Sequence, residues 1–253
     1  MLHWIDDTSP LPPVALALGP GSEAPGLLAA GGSVTPRRLE EAYRHGVFPW
    51  YSPGQPPLWW SPDPRMVLPV AEFKLSRSLR KTIRRFIATP GCELRFDSAF
   101  DRVIEACASA PREGQNGTWI VPEMQAAYRA WHRLGRSHSA ETWIDGELVG
   151  GLYFISIGRM VFGESMFSRR SDASKIALAG LICACRTHGI RLIDCQQNTE
   201  HLASLGAHEI PRADFLRHLS GVRAQPDIAD WTYDESMWGR LDGPAAPDRD
   251  TAS

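Results

Sequence analysis

Apolar and polar positions change rhythm repeatedly along the chain, and each change predicts an element. Residues 1–64, rich in Pro and Gly, yield one clear helix over 36–45, with Thr35 as its N-cap and Pro36 at its first position. A knot of aromatics and prolines follows: Phe48-Pro49-Trp50-Tyr51, then Trp59-Trp60-Ser61-Pro62-Asp63-Pro64-Arg65. Proline removes backbone donors, so this run reads as a rigid, partly extended wall. A strand is expected over 65–69, then helices over 75–87, capped near Ser76, 98–108 and 122–134. Residues 139–144 and 148–157, joined by Asp145-Gly146, predict a hairpin, and 159–162 a third strand. A long helix over 173–188 has Ser171 and Asp172 as start signals. A strand over 190–196 and short helices over 200–205 and 212–219 complete the pattern.

The expected fold class is therefore α+β: a small N-terminal α/β domain (1–64), a C-terminal domain (65–241) and a disordered tail (242–253). Three antiparallel strands, a helix and one more strand are compatible with an acyl-CoA N-acyltransferase-like (GNAT-like) domain, although fold alone does not fix function.

Two acids stand where apolar strands are expected to end. Glu164 follows Met160-Val161-Phe162-Gly163, and Asp194 follows Ile190-Arg191-Leu192-Ile193. Strand, helix, strand in that order makes the strands parallel neighbours and brings both carboxylates to one end of a sheet, where ligands bind. Charge there needs a partner. Either a cationic ligand supplies it, or Arg169, Arg170 or Lys175 does so as a structural ion pair. Leu152, Val161, Met166, Leu181 and Ile193 flank the acids and either line an apolar pocket or pack the core. Cys195, between Asp194 and Gln196, is expected on the opposite strand face. No feature supplies the base that a nucleophilic cysteine needs.

At 253 residues, 43% hydrophobic and 22% charged, the chain has ample length for a real core. The net charge of −2 gives no global sign of nucleic-acid binding. One local sign is Lys74, Arg77, Arg80, Lys81, Arg84 and Arg85, with no acid among them. Solvated helix faces normally mix charge signs, so this stripe favours a phosphate backbone as partner. Trp50, Trp59, Trp60 and Trp119 lie in loop-like sequence where bases can stack, though taken singly each is more readily read as core. Trp119 stands out because the polar segment 114–117 precedes it. No apolar run approaches the roughly 18 residues of a membrane span. Residues 1–13 lack a basic region followed by an apolar core, so no signal peptide is expected. Cys92, Cys107, Cys183, Cys185 and Cys195 form no paired framework, which fits a reducing cytoplasm. The 8 histidines show no metal spacing, and no metal site is expected.

Taken together, several blocks resemble leucyl/phenylalanyl-tRNA–protein transferases. They are Phe48-Pro49-Trp50, Trp59-Trp60-Ser61-Pro62-Asp63-Pro64-Arg65, Gly117-Thr118-Trp119-Ile120, Gly163-Glu164-Ser165-Met166-Phe167, Asp172-Ala173-Ser174-Lys175, Asp194-Cys195-Gln196 and Leu205-Gly206-Ala207, in the family's order across 26–216. Ser33 stands where the family usually has Asp. The resemblance implies a cytoplasmic, cofactor-free, monomeric enzyme. It would move Leu or Phe, with Met a further candidate, from aminoacyl-tRNA to proteins bearing N-terminal Arg or Lys, marking them for degradation. It assigns Glu164, Asp194 and Gln196 to catalysis. The aminoacyl side chain would enter a pocket of Leu152, Val161, Met166, Leu181 and Ile193. Trp119 and Trp50 would meet the 3′-terminal adenosine, and the basic helix the tRNA backbone. Val161 and Leu181 stand where some members have phenylalanine, which leaves the Leu-versus-Phe preference open. Two other readings compete: a CoA-dependent N-acetyltransferase, disfavoured because the turn 168–172 has no glycine, and a non-catalytic RNA-binding protein.

Overall fold

The computed structural model describes residues 2–110 and 118–242. The polar segment 114–117 and the tail from 243 onward lie outside them. A four-stranded sheet comes first, built from β1 (His3–Ile5), β2 (Leu27–Gly31), β3 (Phe48–Pro49) and β4 (Leu58–Trp60) in the order β1-β2-β4-β3. Helix α1 (Pro36–Arg44) interrupts it, and the Thr35 hydroxyl accepts from the Arg38 N–H as an N-cap. The aromatic and proline run, expected as a rigid, partly extended wall, supplies two very short strands.

The chain then enters a second sheet at β5 (Arg65–Pro69) and continues through α2 (Arg77–Ala88), β6 (Cys92–Phe96), α3 (Phe100–Ser109), α4 (Pro122–His132), β7 (Ser137–Ile144), β8 (Glu147–Ile157) and β9 (Met160–Ser168). It closes with α5 (Ala173–Thr187), β10 (Leu192–Gln196), α6 (Glu200–Ser204), β11 (His208–Ile210) and α7 (Arg212–Val222). The strand order is β11-β5-β10-β9-β8-β7-β6. The fold is mixed α/β with two sheets.

Local chemistry explains most boundaries. Ser76 caps α2 by accepting from Leu79 N–H. Asp145 and Gly146 both take positive φ, 53° and 78°, as a two-residue hairpin with right-handed strand twist requires. The expected strand 159–162 extends to Ser168, because hydrogen bonding along β8 carries the chain past the polar Glu164 and Ser165. β6 and β11 were not expected. Cys92-Glu93-Leu94-Arg95-Phe96 alternates as a half-buried strand should, so that signal was present. Strands β9 and β10 are parallel neighbours joined through α5, as the strand–helix–strand order required.

Each face of the large sheet has its own core. One side packs α2 and α5 through Leu79, Ile83, Phe86, Ile176 and Ile182. The other packs α3 and α4, and continues without a break into the N-terminal sheet and α1. There Tyr43 of α1 meets Phe162 of β9 edge-on, ring centroids 5.0 Å apart, and lies 5.4 Å from Trp131. Residues 1–64 thus share their core with the large sheet. At Gly150 of β8 the backbone runs against the start of α5: a Cβ there would meet Ala173 Cβ at 2.5 Å and its carbonyl carbon at 2.8 Å. Gly150→Ala should therefore cost about 1–3 kcal/mol as overpacking, read as a lower urea midpoint at unchanged slope.

Candidate active site

The site opens where two bulges face each other. β9 and β10 pair only through Val161–Ile193 and Phe162–Asp194, then separate. In β9 the register with β8 passes from Gly163–Phe154 to Ser165–Tyr153, leaving Glu164 as the extra residue. In β10 the register with β5 passes from Asp194–Val67 to Gln196–Met66, leaving Cys195 as the extra one. A bulge breaks strand alternation and re-aims side chains. Cys195 consequently lines the opening beside Gln196, contrary to the opposite-face expectation. Burial pushes its thiol well up, so it is no nucleophile at neutral pH.

The two acids have different fates. Asp194 is fully buried and holds a bidentate ion pair with Arg65, Nε to Oδ1 at 2.8 Å and Nη2 to Oδ2 at 2.6 Å. Its partner is none of the cations considered from the sequence. Lys175 pairs with Asp172, and Arg169 donates to the Leu148 carbonyl. Arg65 opens an apolar strand just as the acids end theirs, so the same burial argument would have singled it out. The guanidinium is itself buried between the rings of Phe48 and Phe215, 4.9 and 4.6 Å from their centroids, and donates to the Gly46 carbonyl at 3.0 Å. Asp194 Oδ1 also accepts the Gln196 N–H at 3.0 Å. That bond holds Gln196 at φ 60°, a left-handed conformation unfavourable for any residue with a Cβ.

Glu164, by contrast, reaches the opening. Its Oε1 accepts from Gln196 Nε2 at 3.3 Å and its Oε2 from the Tyr128 hydroxyl at 3.4 Å. The Tyr128 and Tyr43 hydroxyls are 2.7 Å apart and fully buried. Burial pushes the Glu164 carboxyl from 4.5 up to about 8, against the lowering hydrogen bond from Tyr43. The charge of Asp194 adds to the rise, while Arg65 and Tyr128 oppose it. At neutral pH Glu164 is therefore mostly protonated, and an arriving cation favours its ionised form. Burial, then the Glu164 charge, hold both tyrosines well above their ordinary value, so they remain donors.

Two cavities meet at these groups. One, of about 250 Å³, is walled by Leu152, Met166, Leu181 and Ile193, together with Leu68, Leu178 and Leu202. Val161 is not part of that wall; it is fully buried in the core on the same side of the sheet. The second, of about 340 Å³, is walled by Phe48, Pro49, Trp50 and Trp119. Both include Glu164, Cys195, Gln196, Thr199 and Leu202. The structure thus brings together both expected tryptophans, four of the five expected apolar residues, Glu164 and Gln196. Trp50 is fixed edge-on against Trp60, whose Nε1 donates to the Trp50 carbonyl at 2.7 Å. Thr199, Leu202, Tyr43 and Tyr128 were not singled out from sequence, because nothing local sets them apart from core or cap residues.

The basic stripe runs along the outer face of α2. Lys74, Arg77, Lys81, Arg84 and Arg85 are exposed, while Leu79, Ile83 and Phe86 face inward. Arg80 is half-exposed and pairs with Asp242, so that first residue of the expected tail is held against the helix. The stripe starts beside the cavities: Lys74 N–H donates to the Leu205 carbonyl at the end of α6, the helix that carries Leu202.

A profile of the family described as leucyl/phenylalanyl-tRNA protein transferase matches residues 67–220, and one of that family's N-terminal domain matches residues 32–63. The chain belongs to the leucyl/phenylalanyl-tRNA–protein transferase family. It is similar along its whole length to proteins so named. The one from Leptothrix cholodnii is 63% identical over 252 residues, covering 98% of each chain. That from Methylibium petroleiphilum is 63% identical over 254 residues, covering 100% of this chain and 96% of its own. As a leucyl/phenylalanyl-tRNA–protein transferase family member the chain is an aminoacyltransferase. Its profile boundary, between residues 63 and 67, falls where the chain passes from β4 to β5. Among the described residues no helix is long and apolar enough to cross a membrane.

Proposed function

We propose that this transferase moves Leu or Phe, and Met more slowly, from aminoacyl-tRNA to the α-amino group of an N-terminal Arg or Lys. The observation that carries this reading is the junction of the two cavities at Glu164 and Gln196. An apolar chamber of about 250 Å³ suits a Leu or Phe side chain, and the tryptophan-walled cavity suits the 3′-terminal adenosine. The ester joining them then lies at Glu164 and Gln196. The exposed cations of α2 begin beside the site, where the acceptor stem's phosphates would run. Residues 65–241 form a GNAT-like domain in this reading, with parallel β9 and β10 separating around the substrates, and residues 1–64 form the smaller one. The protein acts as a cytoplasmic monomer whose products enter the N-degron route to degradation. No cofactor is needed, because the ester is already activated.

The amine nitrogen attacks the ester carbonyl carbon, the amide forms, and the tRNA 3′-oxygen leaves with a proton. An α-amino group titrates near 7.7–8.0, so its free form costs only about 1 kcal/mol at neutral pH. Holding amine and ester together supplies roughly 7–11 kcal/mol, so positioning outweighs deprotonation. Asp194 is committed to Arg65, which leaves Glu164 to face the acceptor. Burial raises the carboxyl's proton affinity, the arriving ammonium draws it into the ionised form, and that carboxylate pairs with the cation and then accepts the proton released on attack. Gln196 Nε2 is the donor available to the ester carbonyl. For CoA the start of α5 is badly prepared: its first donors are taken by Arg170 O and Ser168 Oγ.

Transfer from tRNA charged with Leu, Phe, Met or Ile to an Arg-ended peptide tests the reading. Leu and Phe should transfer efficiently, and Ile at least about tenfold more slowly, the discrimination a shaped apolar pocket gives. Equal transfer of Ile, or transfer to an N-acetylated peptide, would overturn it. Trp119→Ala should weaken use of aminoacyl-tRNA by about 1–3 kcal/mol, or roughly 5–150-fold in KM, with the KM for the acceptor peptide unchanged.

A further inference from the structure

We infer that Arg65 is a positioning residue for aminoacyl transfer, holding Gln196 in register with the tryptophan-walled cavity. The inference rests on the function proposed above. Arg65 lies outside both cavities, yet its guanidinium backs the tryptophan-walled one directly. One of its faces packs on Phe48, which lines that cavity. The edge grips both oxygens of Asp194 at 2.8 and 2.6 Å. Asp194 in turn accepts the Gln196 N–H at 3.0 Å and so maintains the left-handed turn that aims Gln196 at Glu164. Phe215 closes the second face of the guanidinium, and Gly46 O accepts its remaining edge.

Four constraints therefore fix one planar cation, and that cation fixes one strained residue at the reacting ester. A lysine would keep the charge but supply neither the bidentate fork nor the flat faces. Asp194 would then be free to rotate, and Gln196 would lose the bond that offsets its unfavourable φ. Misplacement of about 1 Å at a reacting group costs on the order of 10²-fold in rate. A buried ion pair is not needed for stability as such, since apolar residues of equal volume serve as well.

The test is a double-mutant cycle read in single-turnover transfer of Leu from saturating aminoacyl-tRNA to a saturating Arg-ended peptide. Arg65→Lys should lower the rate by about 10²-fold in the wild-type background and by no more than about twofold in Gln196→Ala. If Arg65→Lys does not fold, Phe215→Leu loosens the guanidinium without touching either cavity. It should lower the rate by a smaller factor that likewise disappears in Gln196→Ala. Equal losses in both backgrounds, or a folded Arg65→Lys protein with the wild-type rate, would overturn the inference. Failure of the wild-type chain to transfer Leu or Phe would overturn the proposed function itself, and the inference with it.

Discussion

Glu164→Gln should slow transfer by about 10²–10⁴-fold and, at pH 8.5, make the folded protein more stable than the wild type. The rate loss follows from removing the one carboxyl that, among the described residues, lines both cavities. The stability gain follows from the elevated affinity of that carboxyl for its proton. Below about 4.5 Glu164 is protonated in folded and unfolded chains alike, and its contribution to stability is fully present. Between there and about 8 the unfolded chain releases the proton while the folded chain keeps it. Stability is therefore lost as pH rises through that window. Gln has no proton to release, so the variant escapes the loss. Urea unfolding at pH 5 and 8.5 checks this, with the two proteins diverging only at the higher pH. Parallel decline of both midpoints would mean that another group sets the pH dependence. A residue whose replacement strengthens the fold while disabling the reaction is kept for the reaction.

Asp194→Ala should destabilise the protein by about 3–5 kcal/mol, because it leaves the buried guanidinium of Arg65 without its counter-ion. The loss is a penalty on the survivor and not a measure of what the pair contributes. Replacing both partners, Arg65→Met with Asp194→Leu, should therefore recover most of that loss. The transfer rate should stay low in the double variant, since the Gln196 N–H no longer has an acceptor. Urea midpoints paired with single-turnover rates separate the two quantities. A shift below about 1 kcal/mol for Asp194→Ala is the size typical of an exposed pair and would refute the buried one.

What the sequence could reveal was largely local. Thr35 and Ser76 cap helices within three residues of themselves, and Asp145-Gly146 fixes a hairpin within two. The acids were legible because charge at the end of an apolar strand is costly wherever it occurs. Which cation pairs with which acid was not. Arg65 and Asp194 are 129 residues apart, and no periodicity links them. Alternation also fails at the two bulges: the extra residue in each strand turns Cys195 toward the cavity and makes Glu164 part of β9. Val161 shows the same limit in another form. An apolar residue at the right position along a strand can lie one layer too deep, and only the packed side chains decide that. The shared core was equally hidden, because Tyr43 looks like any inward-facing tyrosine until Phe162 and Trp131 surround it.

The clamp around Arg65 also sets the order in which a growing chain can become an enzyme. Arg65 leaves the ribosome early, but its counter-ion arrives at residue 194 and its second ring at residue 215. Until then an unpaired guanidinium sits in an apolar seam, which is costly. Chains that stop short of Phe215 should thus be inactive and poorly folded, the state that proteases remove most readily. The site cannot close until the chain has been made through Phe215.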